Sequence, residues 1–571
     1  MISIKQASLF FIFLFNLFIT PLAWAQKSLL PQKHYPQGYF MYPVQAKVGL
    51  AANFGELRPN HFHMGLDCRT DQQVNKKVFA AADGYVSRIK IEPFGFGRSI
   101  SITHPNGLTT LYAHLNEFDP KTEAFLKAAQ YEQKSWQISL PVPEGLIPVK
   151  KGDFIAFSGS TGGSMGPHVH FEVRDTKTDK VLNPLLMGFP IPDNIAPSIL
   201  RLAIYDRRLS TYDQNPKIYS VKLVNGNYQT IPSTIPLPTD KVSFAITSYD
   251  HYTGSTNQNG IYEAGLFEDG NPECAFQLDS IGYDETRYLN AHIDYRTKAN
   301  GGPYLQHLSK LPGNHSEIYF CNPGNGVITL HDSNAHKIEI RVYDTNGNER
   351  TLSFNIQKSK NISEVKEETG QLFLPNEVNI FETSNLLMYL PENALYDSFH
   401  FRFSEINTKP QPSYALHNPE VPVHEYFPVM IKPNEEFADT SKLVMRRYYG
   451  KKEDFKKAEY VNGWYRASFR EFGNFQLIFD NTPPVIIPKG FYDGINASKL
   501  KSIRFSVTDN TEEIASFNAY LDGEWLRFSN DKAKDFIYIF DEKCLVGKHL
   551  LKIVVKDLAG NISEKSYQFT R

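Results

Sequence analysis

Short runs in which apolar and polar residues alternate set the strongest limit on what this chain can become: "GYVSRIKI" at 84–91, "SISITH" at 99–104 and "LTTLYAHL" at 108–115. A period of two sends successive side chains to opposite faces of a strand, so such runs build sheets with one buried face. Glycine and proline turns separate the runs from about Tyr39 to Pro190. This region therefore reads as a mainly β domain built on antiparallel sheet. One stretch breaks the pattern. "DPKTEAFLKAAQYEQKSW" opens with Asp119 as an N-cap and Pro120 in the first turn, then continues with helix formers, which predicts one helix inserted between strands.

The rest of the chain, from about Asp193 to Arg571, is again strand-rich and repeats itself. "DNIAP" at Asp193–Pro197 recurs as "DNTPP" at Asp480–Pro484, and "HKIEIRVYDTNGN" recurs as "HLLKIVVKDLAGN". In each copy a histidine, His336 or His549, precedes the aspartate, Asp344 or Asp557, by the same interval. Two related modules are expected, at 193–357 and 480–571, the first with the longer insertions. Their alternating final strands and Gly-Asn turns resemble bacterial immunoglobulin-like β-sandwich modules, whose core comes from inward-facing alternate residues. Between them, 358–479 reads as a charged linker followed by a further β module.

The first 25 residues carry the marks of an export signal: Lys5, the apolar run "LFFIFLFNLFIT", Pro21, and a small-x-small site ending at Ala25. Residues 26–190 then form the first mature domain, with an exported, periplasmic or extracellular destination. No later stretch is apolar for long enough to span a bilayer. A formal net charge of -2 offers no basic field for nucleic acid. With 41% apolar residues the chain fills several cores without a disulfide framework, and its four cysteines suggest only one pair worth testing, Cys274 with Cys321.

The chemistry concentrates in two segments. In "HFHMGLD", His63 and Asp67 lie an even number of positions apart and share a strand face, with Gly65 between them leaving open the space a metal needs. Imidazole nitrogen and carboxylate oxygen are both ordinary Zn²⁺ ligands. In "GSTGGSMGPHVHFEVRD", His168 and His170 likewise share a face. The glycines of that loop precede a strand, with no lysine, so it is not a phosphate-cradling loop. His114 closes "TLYAHL".

Together "FGELRP", "HMGLD", "VFAAADGYV", "YAHL" and "KKGDFIAFSGSTGGSMGPHVHFEVR" resemble the successive motifs of lysostaphin or LytM-type zinc metallopeptidases, over about residues 40–190. The resemblance implies one Zn²⁺ held by His63, Asp67 and His170, with His114 and His168 as catalytic histidines and the peptides of bacterial peptidoglycan as substrate. Two features depart from the family: a longer segment between "YAHL" and "KKGD", and Cys68 where an aliphatic residue is commoner. The first is expected to border the substrate cleft; Cys68, on the opposite face from Asp67, is expected to act as a small buried hydrophobe. Glu172 shares the His168–His170 face and reads either as an orienting partner of a ligand or as an exposed strand glutamate. His61 reads as a rim residue, Arg58 as a substrate or loop anchor, and His104 as a turn residue. A non-catalytic regulator that activates a cell-wall amidase is the competing class. So is an envelope adhesion or assembly protein whose C-terminal modules contact other envelope proteins. Relatives that only regulate usually lack some of the five residues, and all five are present.

Overall fold

The computed structural model describes Leu30 and residues 33–571, apart from 366, 367, 435, 436, 438 and 534. The export signal read at 1–25 lies outside the described residues. Among those described, no helix is long and apolar enough to cross a membrane.

The chain is mostly strand, as the alternation requires. The sheet that carries the site runs, in spatial order, through Leu50–Ala52, Leu66–Arg69, His168–Asp175, Leu108–Ala113, Arg98–Thr103, Gly84–Ile91 and Ile138–Pro141. Every neighbouring pair along that path is antiparallel. A second, three-stranded sheet joins Lys77–Phe79, Phe154–Ser158 and Leu115–Phe118. One face of each strand is buried: along Gly84–Ile91, for instance, Val86, Ile89 and Ile91 are fully enclosed. The bulge in the pairing between Val86 and Arg88 shifts the inward phase by one residue, so Val86 and Ile89 share the core. The helix forms where expected, over Pro120–Gln133. Asp119 caps it by accepting from the N–H groups of Lys121 and Thr122, and Lys134 in the left-handed region ends it.

The region after Pro190 is joined tightly to what precedes it. Val181–Leu182, on the edge of the site-bearing sheet, pairs with Ser280–Ile281, and one hydrophobic core runs from Phe40 through to Ile356. A second core gathers residues 373–477 with Tyr212, and a third gathers residues 486–569. The repeated sequences form equivalent hairpins, Ala335–Tyr343 with Glu349–Lys358 and Lys548–Asp557 with Ile562–Thr570. Cys274 and Cys321 are bonded across paired strands, while Cys68 and Cys544 are free and buried. Burial pushes the Cys68 thiol up, which makes it the inert apolar group expected of it.

Candidate active site

Three neighbouring strands assemble the site. In the register, His170 stands opposite Asp67 on one side and Ala113 on the other, so the ring-bearing strand lies between the two that supply its partners. His114 follows Ala113 and leaves the strand in the left-handed region, at φ 60°. A bulky residue held there is a strained conformation of the kind that clusters at functional sites. Gly65 acts differently from its sequence reading. A Cβ at that position would come within 2.5 Å of the Phe171 carbonyl oxygen and 3.0 Å of the His170 ring. The glycine therefore lets the two strands approach, rather than reserving room for an ion.

His63, Asp67 and His170 are all buried, and their ligand atoms form a nearly equilateral triangle. His63 Nε2 lies 3.0 Å from Asp67 Oδ1 and 3.0 Å from His170 Nδ1, and His170 Nδ1 lies 3.1 Å from Asp67 Oδ1. The outer nitrogens fix the ring orientations. His63 Nδ1 donates to the Asn53 carbonyl at 2.7 Å, and His170 Nε2 donates to Glu172 Oε1 at 2.9 Å. With both rings neutral, two imidazole lone pairs and a carboxylate thus meet at one point, and a positive charge must sit among them. Burial pulls His170 down, but Asp67 and Glu172 outweigh it and raise the ring to about 9. The donor set also fits a metal: one face of a tetrahedron with bonds of about 2.0–2.2 Å has edges of roughly 3.3–3.6 Å, close to those of this triangle.

The other two histidines face the same point. His168 Nδ1 donates to the Gly166 carbonyl at 2.9 Å and leaves Nε2 3.4 Å from Asp67 Oδ1. His114 Nδ1 donates to the Thr161 carbonyl at 2.9 Å, and its ring centroid lies 4.8 Å from that of His168 and 6.0 Å from that of His170. Burial, reinforced by His168 and His170, pushes His114 down to about 3, so its Nε2 carries a free lone pair at neutral pH. The glycine loop that holds both rings packs backbone against backbone. Gly162, with φ 64°, abuts Gly97 so closely that no side chain fits on either.

Glu172 is fully buried and is no exposed strand residue. Burial pushes its carboxyl up, but His170, Arg174 and Tyr283 more than compensate and hold it ionised. Arg174 Nε donates to its Oε2 at 2.7 Å, and the Tyr283 hydroxyl donates to its Oε1. Arg58 pairs with Glu56 at 3.0 Å and reaches Asp67 Oδ2 at 3.5 Å, which makes it an anchor of the site. His61 is exposed on the rim, with Nδ1 bonded to the Pro59 carbonyl. His104 is buried away from the cluster between the Asp83 carbonyl and the Thr110 hydroxyl.

Two supports have no signal in the local sequence. Tyr283 comes from the region after Pro190 and braces Glu172. Asn53, whose carbonyl orients His63, is clamped by three hydrogen bonds to that same region: its amide reaches the Tyr252 hydroxyl and the Gly260 carbonyl, and its Oδ1 accepts from Gly260 N–H. The β region after Pro190 therefore helps to hold the site together. From the other end of the chain, Lys532 donates to Ser160 Oγ at 3.1 Å and to the Ser164 carbonyl at 2.8 Å, on the glycine loop. Arg527 and Asp531 face Asn116, Glu123, Trp136 and Thr161 across a cleft of about 550 Å³. The inserted segment thus borders a cleft that reaches the residue holding His114.

The buried His63, Asp67 and His170, flanked by His114 and His168, form a cluster that could hold a metal ion. Residues 61–131 match Peptidase family M23. Residues 370–480 match the Zu5-like domain. The chain is similar to an uncharacterized metalloprotease of Haemophilus influenzae, with 30% identity over 163 residues, 27% of this chain and 28% of that one. It is also similar to the DD-carboxypeptidase/endopeptidase Mpg of Neisseria meningitidis, with 32% identity over 158 residues, 28% and 27% of the two chains. A third relative is the peptidoglycan DD-endopeptidase ShyA of Vibrio cholerae, with 27% identity over 138 residues, 23% and 26%. The chain thus spans under a third of the length of each of these relatives.

Proposed function

We propose that this protein is an exported zinc endopeptidase that hydrolyses peptide bonds of bacterial peptidoglycan, with one Zn²⁺ held by His63, Asp67 and His170. The observation that carries this reading is the meeting of two imidazole lone pairs and a carboxylate within 3.1 Å, each aimed by a hydrogen bond on its far side or by Arg58. The substrate class rests on the M23 match and on the names of the relatives. A Zn²⁺ in that position supplies Lewis-acid polarisation of a carbonyl oxygen and makes a water more acidic.

The chain's own residues do the rest. His114 and His168 each spend Nδ1–H on a carbonyl and turn Nε2 toward the reacting centre, so an unprotonated Nε2 can accept a proton and, once it carries that proton, its N–H can donate to the developing oxyanion. Arg58 and the two outer hydrogen bonds keep the three donors in place, so little reorganisation is needed when substrate arrives. We also propose the division of the chain into a leader at 1–25, the peptidase at 26–190, and β modules at 193–357, 358–479 and 480–571.

Chelation followed by dialysis should abolish hydrolysis of peptidoglycan, and about one equivalent of Zn²⁺ should restore it. Full activity in protein shown by metal analysis to hold no zinc would sink the proposal. The support around His170 has its own test. Glu172→Gln should weaken zinc affinity roughly 10- to 100-fold, and Tyr283→Phe by a smaller factor in the same direction, measured by competition with a chromophoric chelator. Unchanged affinity in Glu172→Gln would show that the carboxylate does not orient the ring.

A further inference from the structure

The two copies of the sequence repeat converge on the same arrangement of three aspartates. In one, Asp193, Asp250 and Asp344 bring carboxylate oxygens within 4.8 Å of one another; in the other, Asp480, Asp509 and Asp557 do the same. Asp193 and Asp480 belong to the repeated opening motif, and Asp344 and Asp557 to the repeated closing one. The third aspartate is not part of either motif, and only the fold delivers it.

The two clusters share the hydrogen bonds that hold their opening and closing aspartates. Oδ1 of the opening aspartate accepts from the N–H two residues further on, Ile195 at 3.0 Å and Thr482 at 3.1 Å. The closing aspartate is held twice by the asparagine four residues on. Asn348 gives its N–H to Oδ1 at 2.8 Å and its amide to Oδ2 at 2.6 Å, and Asn561 does so at 2.7 and 2.8 Å. What remains unsatisfied also matches. Oδ2 of the opening aspartate and Oδ1 of the third, namely Asp193 with Asp250 and Asp480 with Asp509, are buried with no hydrogen-bond partner among the described residues. Asp250 and Asp480 are each only 1% exposed.

A buried carboxylate oxygen without a donor is unfavourable, and three carboxylates facing one another add repulsion. That the same two oxygens are left bare in both modules, despite their different insertions, argues that a cation completes the arrangement. All the donors are hard oxygens, with no imidazole or thiolate among them, and they come from three separate segments of the chain. That set suits Ca²⁺, which accepts irregular oxygen shells, better than Mg²⁺, which demands a near-ideal octahedron, or Zn²⁺.

We propose that each cluster is a Ca²⁺ site, so that the β modules bind two Ca²⁺ apart from the His-Asp-His centre. Each site would tie the residue at which the chain comes into its module to the closing hairpin. In the first module the effect reaches the peptidase domain, because Asp250 lies beside Tyr252, which holds Asn53.

The test uses the full mature chain, stripped with a Ca²⁺-selective chelator and titrated with Ca²⁺ alone by calorimetry, with zinc content recorded on the same samples. Two Ca²⁺ should bind per chain with a dissociation constant no weaker than about 1 mM, the weak end for extracellular modules, and Ca²⁺ should raise the melting temperature. Asp250→Asn and Asp509→Asn, which keep size and remove the repulsion, should each remove one Ca²⁺, and the double variant both, with zinc unchanged. Absence of Ca²⁺ binding by the wild type would overturn the proposal whether or not the variants fold. So would two Ca²⁺ retained in the double variant, or an equal response to Mg²⁺ alone at the same concentration.

Discussion

His114→Ala and His168→Ala should each keep their zinc and lose roughly 10²- to 10⁴-fold in turnover, the usual range for removing a positioned acid-base group. Neither ring belongs to the triangle of ligand atoms: the contact of His168 with Asp67 Oδ1 is 3.4 Å, and His114 touches that cluster only through ring packing. Burial pushes His114 down, which keeps its ring neutral and Nε2 unprotonated. Its loss should appear in kcat more than in KM, because the group acts on the transition state. Zinc content and release of new amino termini, recorded on the same preparations, check this. Loss of zinc along with activity in either variant would move that histidine into the ligand set. Wild-type protein with no hydrolytic activity, whose alanine variants still stimulated an amidase, would instead support the regulatory class.

The opposite outcome is expected for the ligands. His63→Ala or Asp67→Ala should lower zinc affinity by more than roughly 100-fold, since disturbing an outer partner alone costs 10- to 100-fold, and activity should fall to background. Asp67→Ala carries a further consequence. It leaves Arg58 with Glu56 as its remaining carboxylate and removes the negative charge that favours a cation between the two rings. Without it, two imidazole nitrogens 3.0 Å apart can share a proton and exclude the metal. Full zinc occupancy in both variants, measured by atomic emission on dialysed protein, would reject the assignment.

The shared face of His168, His170 and Glu172 was readable because a period of two leaves no freedom about which residues point together, whereas His63 lies between the strands His61–Phe62 and Leu66–Arg69, so the turn of the chain and not strand alternation brings it to Asp67. The helix was readable from Asp119 and Pro120 because capping is local chemistry. Asp193 and Asp480 were visible as the starts of a repeat, although nothing nearby marks Asp250 or Asp509 as their companions. Tyr283 against Glu172, and Tyr252 against Asn53, could not be read in the same way. These contacts join distant segments, and a tyrosine in a turn looks the same whether or not a buried carboxylate waits for it. For that reason the sequence does not show that the β region after Pro190 shares a sheet edge and a core with the peptidase domain. Gly65 shows the converse error: its smallness was evident, but what it makes room for is the carbonyl of Phe171, which only the pairing of two strands reveals.

The most direct test of the account is digestion of purified peptidoglycan by zinc-loaded mature protein, with the products identified by mass spectrometry. The account predicts peptide fragments with new amino termini from wild type, background levels from Asp67→Ala, and a trace from His114→Ala despite its full complement of zinc. Wild-type protein shown to carry one zinc per chain, yet releasing no peptide from peptidoglycans of several cross-link types, would contradict it.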